Sequence, residues 1–206
     1  DGAAFRLSGT KVCVPAARLA ARILVPASVG GGRVGLFLVD PKGPGVKLEM
    51  QTATNREPIA TLRLQRARVK AQDVLGTLSR GRQMIAWTTE RAITGLCALQ
   101  VGVAERALRM TASYTSERKQ FDRPIGSFQA VHQRAADAYI QREAMRLTMQ
   151  QAAFLLSQGR PAATAVSVAK IWAADGGNHA TYAAQHLHGG IGMDNDYPLH
   201  RSYLWT

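Results

Sequence analysis

The sequence predicts an α+β protein in which an antiparallel β-domain is followed by an antiparallel bundle of long helices. Two observations indicate this class. Residues 5–74 form short β-prone runs separated by glycine, proline and aspartate, and from Gly81 onward apolar residues recur at three- and four-residue steps. We place a partial β-domain at residues 1–76 and a helical bundle, truncated at its end, at residues 77–206.

Five short strands are predicted in the β-domain, and five strands within about seventy residues imply antiparallel β structure. Turn chemistry separates them at residues 30–32, which are three glycines, and at residues 40–45, which combine aspartate, proline and glycine. The predicted strands are Phe5–Leu7, Arg22–Val25, Val34–Val39, Val46–Met50 and Ala60–Leu64.

Three long antiparallel helices are predicted in the second half. The first ends near Arg118, because a segment containing proline and glycine follows it. The second begins with Ser127 as its N-cap and ends at Gly159. The third opens at Pro161, where a missing N–H costs little, and the glycine pair that begins at Gly189 closes it. Helices of about thirty residues span about 45 Å, so we expect them to pack against further helices or another subunit.

The composition is strongly basic, with 26 Lys and Arg against 14 Asp and Glu and a formal net charge of +12. The arginines are spread along the chain, which favours a small anionic ligand such as a CoA ester, or an acidic partner, over nucleic acid. No apolar run is long enough to span a membrane and no signal peptide is visible, so we expect a cytoplasmic protein. The two cysteines, Cys13 and Cys97, are expected to be buried free thiols.

A loop after the first helix combines a basic, two amide and two aromatic side chains: Arg118, Gln120, Phe121, Phe128 and Gln129. The planar guanidinium of Arg118 is suited to bind a pyrophosphate through two parallel hydrogen bonds. The alternative is that Arg118 only complements the dipole at the helix end.

A second polar loop follows the third helix and contains Gln185, His186, Gly189 and Gly190. The glycines lack a Cβ and present bare backbone N–H groups, so an adenosine diphosphate can approach closely. A simple glycine-rich turn is the alternative. His186 and His188 are two positions apart and do not face the same way on a helix, and no carboxylate or cysteine joins them at ligand spacing, so no metal site is expected.

Together with the helical segment 101–117, these two loops resemble the carboxy-terminal helical domain of the FAD-dependent acyl-CoA dehydrogenases. The resemblance covers nearly the whole chain, and the family's amino-terminal helical domain has no counterpart before Asp1. It implies that Arg118 and Phe121 contact the FAD of a neighbouring subunit, with Gln120, Phe128 and Gln129 in the same family spacing. The family's glutamine three residues before the first glycine is replaced here by His186, and Gln185 precedes it, so either side chain could bind the cofactor.

Segments 186–190 and 197–201 resemble in particular the actinobacterial members that degrade steroid side chains, some of which are heterotetramers of unlike subunits. The resemblance therefore implies an oligomer, a dimer of dimers with like or unlike subunits. It also implies α,β-dehydrogenation of an acyl-CoA substrate, and the steroid side-chain CoA thioesters are one class of substrate that the resemblance suggests. Two alternatives stay open: a non-catalytic subunit that completes a partner's FAD site, and a DNA-binding homologue.

The sequence does not assign the catalytic base to a particular residue. The family places a carboxylate either on the first long helix, 26 residues before the loop arginine, or in a segment that would follow Thr206. The first position is Ala92 here. Glu90 is the nearby candidate, but two residues along a helix turn a side chain by about 200°, so Glu90 is expected to point elsewhere.

Overall fold

The computed structural model describes residues 4–206, and these form two compact units, one up to Thr88 and one from Thr89 to Thr206. The first unit contains two three-stranded antiparallel sheets, with strand orders β1-β5-β4 and β2-β3-β6. The strands are β1 Ala4–Pro15, β2 Ile23–Ser28, β3 Val34–Val39, β4 Val46–Thr52, β5 Pro58–Lys70 and β6 Val74–Leu75.

The core of the first unit draws side chains from both sheets. Phe37 on β3 and Leu62 on β5 are fully buried and belong to the same apolar cluster. In the middle of β5, Leu62 and Leu64 are buried while Arg63 between them is exposed and forms an ion pair with Glu49 at 2.8 Å. This period of two is what a sheet with one covered face requires.

Strand β3 has the predicted bounds, whereas β1 and β5 are much longer than predicted. Their extra length comes from polar stretches that keep pairing across two register shifts, one between Leu7 and Gly9 and one between Lys11 and Val14. At the first shift Arg66 has a φ of 53°, and its N–H donates to Ser8 Oγ at 3.1 Å. A bulge of this kind interrupts the hydrophobic alternation on which the prediction depended.

The helical part consists of α1 Gly81–Glu117, α2 Gln129–Ser157, α3 Ala163–His188 and α4 Leu199–Trp205, with a small hairpin of β7 Lys119–Gln120 and β8 Arg123–Pro124 between α1 and α2. Antiparallel sheets followed by long helices confirm the predicted fold class. Helix α4 and the three shortest strands were not predicted. None of the helices described over residues 4–206 is long and apolar enough to cross a membrane.

Small residues let the long helices of the second unit approach closely. Ala104, Ala138 and Ala180 are fully buried in one shared cluster. A Cβ added at Gly176 on α3 would lie 2.8 Å from Cγ of Met145 on α2, which is closer than packed side chains tolerate. The contact between α2 and α3 therefore depends on glycine at this position.

Two of the predicted helix ends are shifted. Ser127 does not cap α2: Phe128 occupies the cap position without a side-chain bond, while Ser127 Oγ donates to the carbonyl of Pro124 at 2.7 Å. The third helix begins at Ala163 rather than at Pro161. The end at Gly159 is confirmed, because its φ is 62° and the N–H groups of residues 159 and 160 bond back to the carbonyls of residues 156 and 155.

Both cysteines are free, but only Cys97 is buried, so the expectation of a buried thiol is wrong for Cys13. Cys13 lies at the second register shift of β1 with a φ of 53°, where the strand irregularity turns it outward. Burial raises the pKa of the Cys97 thiol.

Candidate functional site

The first predicted loop is a tight hairpin between α1 and α2. Its strands pair residue 119 with 124 and residue 120 with 123, which leaves Phe121 and Asp122 as the two central residues. Their φ values are 52° and 61°, the left-handed conformation that two-residue hairpins use. Such a φ is uncommon for phenylalanine, so the backbone holds Phe121 at the hairpin tip at some energetic cost.

The two aromatic residues of this loop differ in their surroundings. The ring of Phe128 is fixed from two sides, by Phe121 in an edge-to-face contact with centroids 6.1 Å apart and by the Arg123 guanidinium 4.2 Å from its centroid. Phe121 itself is 86% exposed. The hairpin therefore offers the Phe121 ring to something outside the chain, while Phe128 supports it.

Arg118 is exposed at the end of α1 and forms no ion pair within residues 4–206. Its backbone is anchored, because its N–H donates to Tyr114 O at 2.8 Å and its carbonyl accepts from the Ile125 N–H at 2.7 Å. Gln120 and Gln129 are also exposed. A guanidinium without a carboxylate partner at a fixed backbone position is available to bind an anion.

The second predicted loop closes α3. Gly189 has a φ of 64°, and its N–H bonds back to the carbonyls of Gln185 and His186. A Cβ added at Gly189 or at Gly190 would meet nothing within 4 Å, so this backbone faces open space. It is accessible to a ligand from outside the bundle.

Gln185 and His186, between which the sequence could not decide, lie in different environments. Gln185 is 8% exposed, and its Oε1 is buried without a hydrogen-bond partner among the described residues. A Cβ added at Gly192 would lie 2.6 Å from that oxygen, so Gln185 faces the inside of the glycine turn. His186 is exposed.

His186 lines a groove of about 400 Å³ between the start of α2 and the end of α3. The Arg134 guanidinium lies 5.5 Å from the ring centroid of Tyr182 in the same groove. Its other polar lining residues are Gln133, Asp137 and His179. The groove brings the beginning of α2, which follows the first loop, next to the end of α3, which precedes the second.

His188 joins the two loops more directly, and the sequence analysis missed this role. Its ring stacks on Tyr114, one turn before Arg118, with centroids 4.5 Å apart and an interplanar angle of 18°. It also contacts Tyr197 in a tilted arrangement, with ring centroids 5.4 Å apart. Burial lowers the pKa of His188, and the hydrogen bond to the Ala184 carbonyl opposes that shift. Both loops therefore lie at the same end of the bundle.

The first family position for a base holds no carboxylate. Ala92 is exposed on α1, and Glu90 is half-buried on the same continuous helix, with its side chain rotated by about 200° from that of Ala92. Within residues 4–206 there is no group of three His, Cys, Asp or Glu residues close enough together to hold a metal ion.

An antiparallel β unit followed by a bundle of long helices is the architecture of the carboxy-terminal half of acyl-CoA dehydrogenases. Residues 75–206 match the family described as Acyl-CoA dehydrogenase, C-terminal domain. The chain belongs to the acyl-CoA dehydrogenase family.

Individual relatives agree with this assignment. The acyl-CoA dehydrogenase FadE27 of Mycobacterium tuberculosis is 39% identical over 98% of this chain and 55% of its own length. The ChsE4-ChsE5 complex of Mycobacterium tuberculosis matches with a TM-score of 0.91 and 40% identity, over 97% of this chain and 53% of that one. A variant of the Tcur3481-Tcur3483 steroid ACAD matches with a TM-score of 0.90 and 45% identity, over 100% of this chain and 54% of that one. The chain thus spans about half the length of these relatives.

Proposed function

We propose that this chain is a subunit of an FAD-dependent acyl-CoA dehydrogenase that introduces an α,β double bond into a CoA thioester. The observation that carries the proposal is the pairing of two features at one end of the bundle. One is Arg118, which is exposed and has no ion pair among the described residues, in the same loop as the exposed Phe121; the other is the bare backbone at Gly189 and Gly190.

The residues of these loops fit a dinucleotide. A diphosphate needs a cation without a competing carboxylate, and Arg118 has no ion pair within residues 4–206. It also needs backbone that it can approach without a Cβ in the way, which Gly189 and Gly190 provide. Phe121 offers an aromatic face, and Gln120, Gln129 and His186 offer hydrogen bonds. When bound, FAD supplies the chemistry of the reaction by accepting a hydride from the β-carbon of the thioester.

All of these groups face outward from the bundle, which suits a cofactor shared with a second subunit. Three large apolar side chains, Ile140, Leu147 and Phe154, are also exposed on α2 at a spacing of seven residues. A stripe with this spacing stays on one face of a helix and favours helix-to-helix packing. We propose that this stripe packs against another subunit of a dimer or tetramer.

The proposed substrate class is a steroid side-chain acyl-CoA, and the proposed assembly contains unlike subunits. Support comes from relatives named as a steroid ACAD and as a complex of two different chains. The net charge of +12 supports an anionic CoA ester and an acidic partner chain.

A second candidate is a non-catalytic subunit that completes the FAD site of its partner. Dehydrogenation requires a base that accepts the α-proton while the hydride leaves the β-carbon. Ala92 at the family's first base position carries only a methyl group, which cannot accept a proton. Under this candidate the base belongs to the partner subunit.

The test is co-expression of the full-length protein with the dehydrogenase subunit that co-purifies with it, followed by a visible spectrum and an assay with a steroid side-chain CoA ester. Bound flavin and formation of the enoyl-CoA support the enzyme. Folded, partnered protein without flavin absorption bands contradicts the proposal. Flavin binding that persists when the partner's base is removed, with turnover lost, selects the non-catalytic subunit.

A further inference from the structure

We propose that His188 is a positioning residue that sets the spacing between the two loops of the proposed FAD site. The inference rests on the proposed function for its ligand, but its geometry belongs to this chain alone. His188 directly precedes Gly189, and it touches the helical turn that ends at Arg118.

Four contacts hold the His188 ring in one orientation. Tyr114 of α1 stacks on the ring with centroids 4.5 Å apart, and Tyr197 of the segment before α4 packs against it in a tilted arrangement with centroids 5.4 Å apart. At the ring edge, Nδ1 lies 2.8 Å from the Ala184 carbonyl and Nε2 lies 3.2 Å from the Tyr197 hydroxyl. The side chain is 4% exposed. A ring that is stacked on one tyrosine, packed against another and hydrogen-bonded at both nitrogens has no alternative rotamer that keeps these contacts.

The hydrogen bonds also determine which nitrogen carries the proton. A carbonyl oxygen only accepts, so Nδ1–H donates to Ala184. In the neutral ring Nε2 then has a lone pair, which accepts the O–H of Tyr197. The neutral ring satisfies both partners, and burial favours this uncharged form.

His188 is connected to both loops, to the first through Tyr114 and to the second through its own backbone. The carbonyl of Tyr114 accepts the N–H of Arg118 at 2.8 Å, so a shift of Tyr114 moves the anchor of the guanidinium. On the other side, His188 is the last residue of α3, and the next residue already has the left-handed φ of the glycine turn. A diphosphate that contacts both loops therefore depends on a distance that His188 maintains.

Protonation of His188 would replace this arrangement with a buried cation. The titratable groups that face the ring are Tyr114 from α1 and Tyr197 from the segment before α4, and neither is a carboxylate that could pair with the imidazolium. Because the folded-state pKa is depressed below about 6.5, the stabilising contribution is fully present above that pH. It is lost as the pH falls through the lower folded-state pKa.

The test compares three variants of the full-length, partnered protein: His188→Phe, Tyr197→Phe and Val166→Ala. His188→Phe keeps an aromatic ring and removes both hydrogen bonds, and Tyr197→Phe removes only one. Val166→Ala truncates a buried side chain near the opposite end of α3, about 33 Å away along the helix axis. The FAD dissociation constant and the midpoint of chemical unfolding are measured for each from pH 5 to pH 8.

We expect His188→Phe to weaken FAD binding about tenfold at pH 8, which corresponds to about 1.4 kcal/mol, with a smaller effect of Tyr197→Phe in the same direction. Val166→Ala should lower the unfolding midpoint and leave the FAD dissociation constant within about twofold. The wild type should lose FAD affinity as the pH falls through the lowered pKa of His188, and His188→Phe should not show that step.

Three results would overturn the inference: FAD affinity of His188→Phe and Tyr197→Phe equal to that of the wild type, equal FAD loss in Val166→Ala at matched stability, or an unchanged acid step in His188→Phe. Wild-type protein that binds no FAD at all would instead contradict the proposed function. The two failures are therefore distinguishable. If His188→Phe does not fold, Tyr197→Phe alone still decides, because it leaves the ring stack in place.

Discussion

Gln185 and His186 are adjacent in sequence, yet the oxygen of Gln185 faces the inside of the glycine turn while His186 lines an open groove. The family's cofactor-contacting glutamine has no single equivalent here. Gln185 has the amide side chain, whereas His186 occupies the family's position three residues before the first glycine. The difference in exposure assigns separate tasks to the two side chains. We infer that His186 is the ligand contact and that Gln185 shapes the turn.

The first prediction compares His186→Ala with Gln185→Met. His186→Ala should weaken FAD binding about fivefold to tenfold, which is the effect of one lost hydrogen bond. Gln185→Met should leave FAD binding unchanged, and it should cost less than about 1 kcal/mol of unfolding free energy, because the replaced Oε1 has no hydrogen-bond partner in the part of the chain that the structure describes. Flavin fluorescence titration measures the first quantity and urea unfolding the second. Weaker FAD binding by Gln185→Met would show that its oxygen receives a bond from the cofactor.

The second prediction concerns Arg118. Arg118→Ala should weaken FAD binding about tenfold to a hundredfold, because a charge-assisted bond to phosphate contributes about 1.5–3 kcal/mol. Helix content should stay the same, because a charge at a helix end contributes at most about 1 kcal/mol when exposed. Arg160→Ala is the matched control, since Arg160 is also exposed just after a helix end, at the α2–α3 connection. Parallel loss of FAD and of circular dichroism in Arg118→Ala would assign the residue a structural role.

Much of the fold could be predicted from the sequence, because the pattern of apolar residues and of the turn residues between them is unambiguous. Residues 34–39 are apolar throughout and bounded by turns, and β3 has those bounds. Gly159 was predicted as a helix end because glycine readily adopts the left-handed conformation that often ends a helix. Its φ in the structure is 62°. The prediction of Ser127 as the N-cap was wrong, because its hydroxyl donates to the nearby Pro124 carbonyl instead. A hydroxyl before a helix predicts a cap only where no closer carbonyl competes for it.

The candidate site could be predicted only in part, because a loop motif indicates which residues belong to the site but not how exposed each side chain is. Arg118 and Phe121 lie outward as the motif implied. His188 was considered only as a metal ligand, and its true surroundings depend on Tyr114, more than seventy positions earlier in the chain. No local period or spacing connects two such positions. Contacts of this kind become visible only once the helices are packed.

The third prediction tests the exposed apolar stripe on α2. Leu147→Glu places a charge at the centre of the stripe and should dissociate the proposed assembly, because burying an unpaired carboxylate in an interface is strongly unfavourable. Sedimentation velocity measures the effect. Thr164→Glu adds the same charge at an exposed position in the first turn of α3, where a helix start tolerates a negative charge. An intact oligomer in both variants would show that the stripe is not an interface.

The fourth prediction is that this chain does not supply the catalytic base from α1. Ala92 holds the family's position on that helix, and Glu90 is turned about 200° away from it. Glu90→Gln should therefore change turnover of a CoA ester by less than about threefold, whereas loss of a true general base costs about a hundredfold or more. The assay requires the full-length, partnered protein, with bound FAD and thermal stability measured alongside.

The same assay with Ala92→Glu supplies the complementary experiment. A carboxylate at this position, on a helix whose direction is already fixed, restores the family's arrangement without changing the fold of α1. If the partner subunit provides the base, removing that base abolishes turnover and Ala92→Glu recovers part of it in this chain. Should Glu90→Gln instead abolish turnover while FAD stays bound and the protein stays folded, Glu90 is the base and this chain is catalytic by itself.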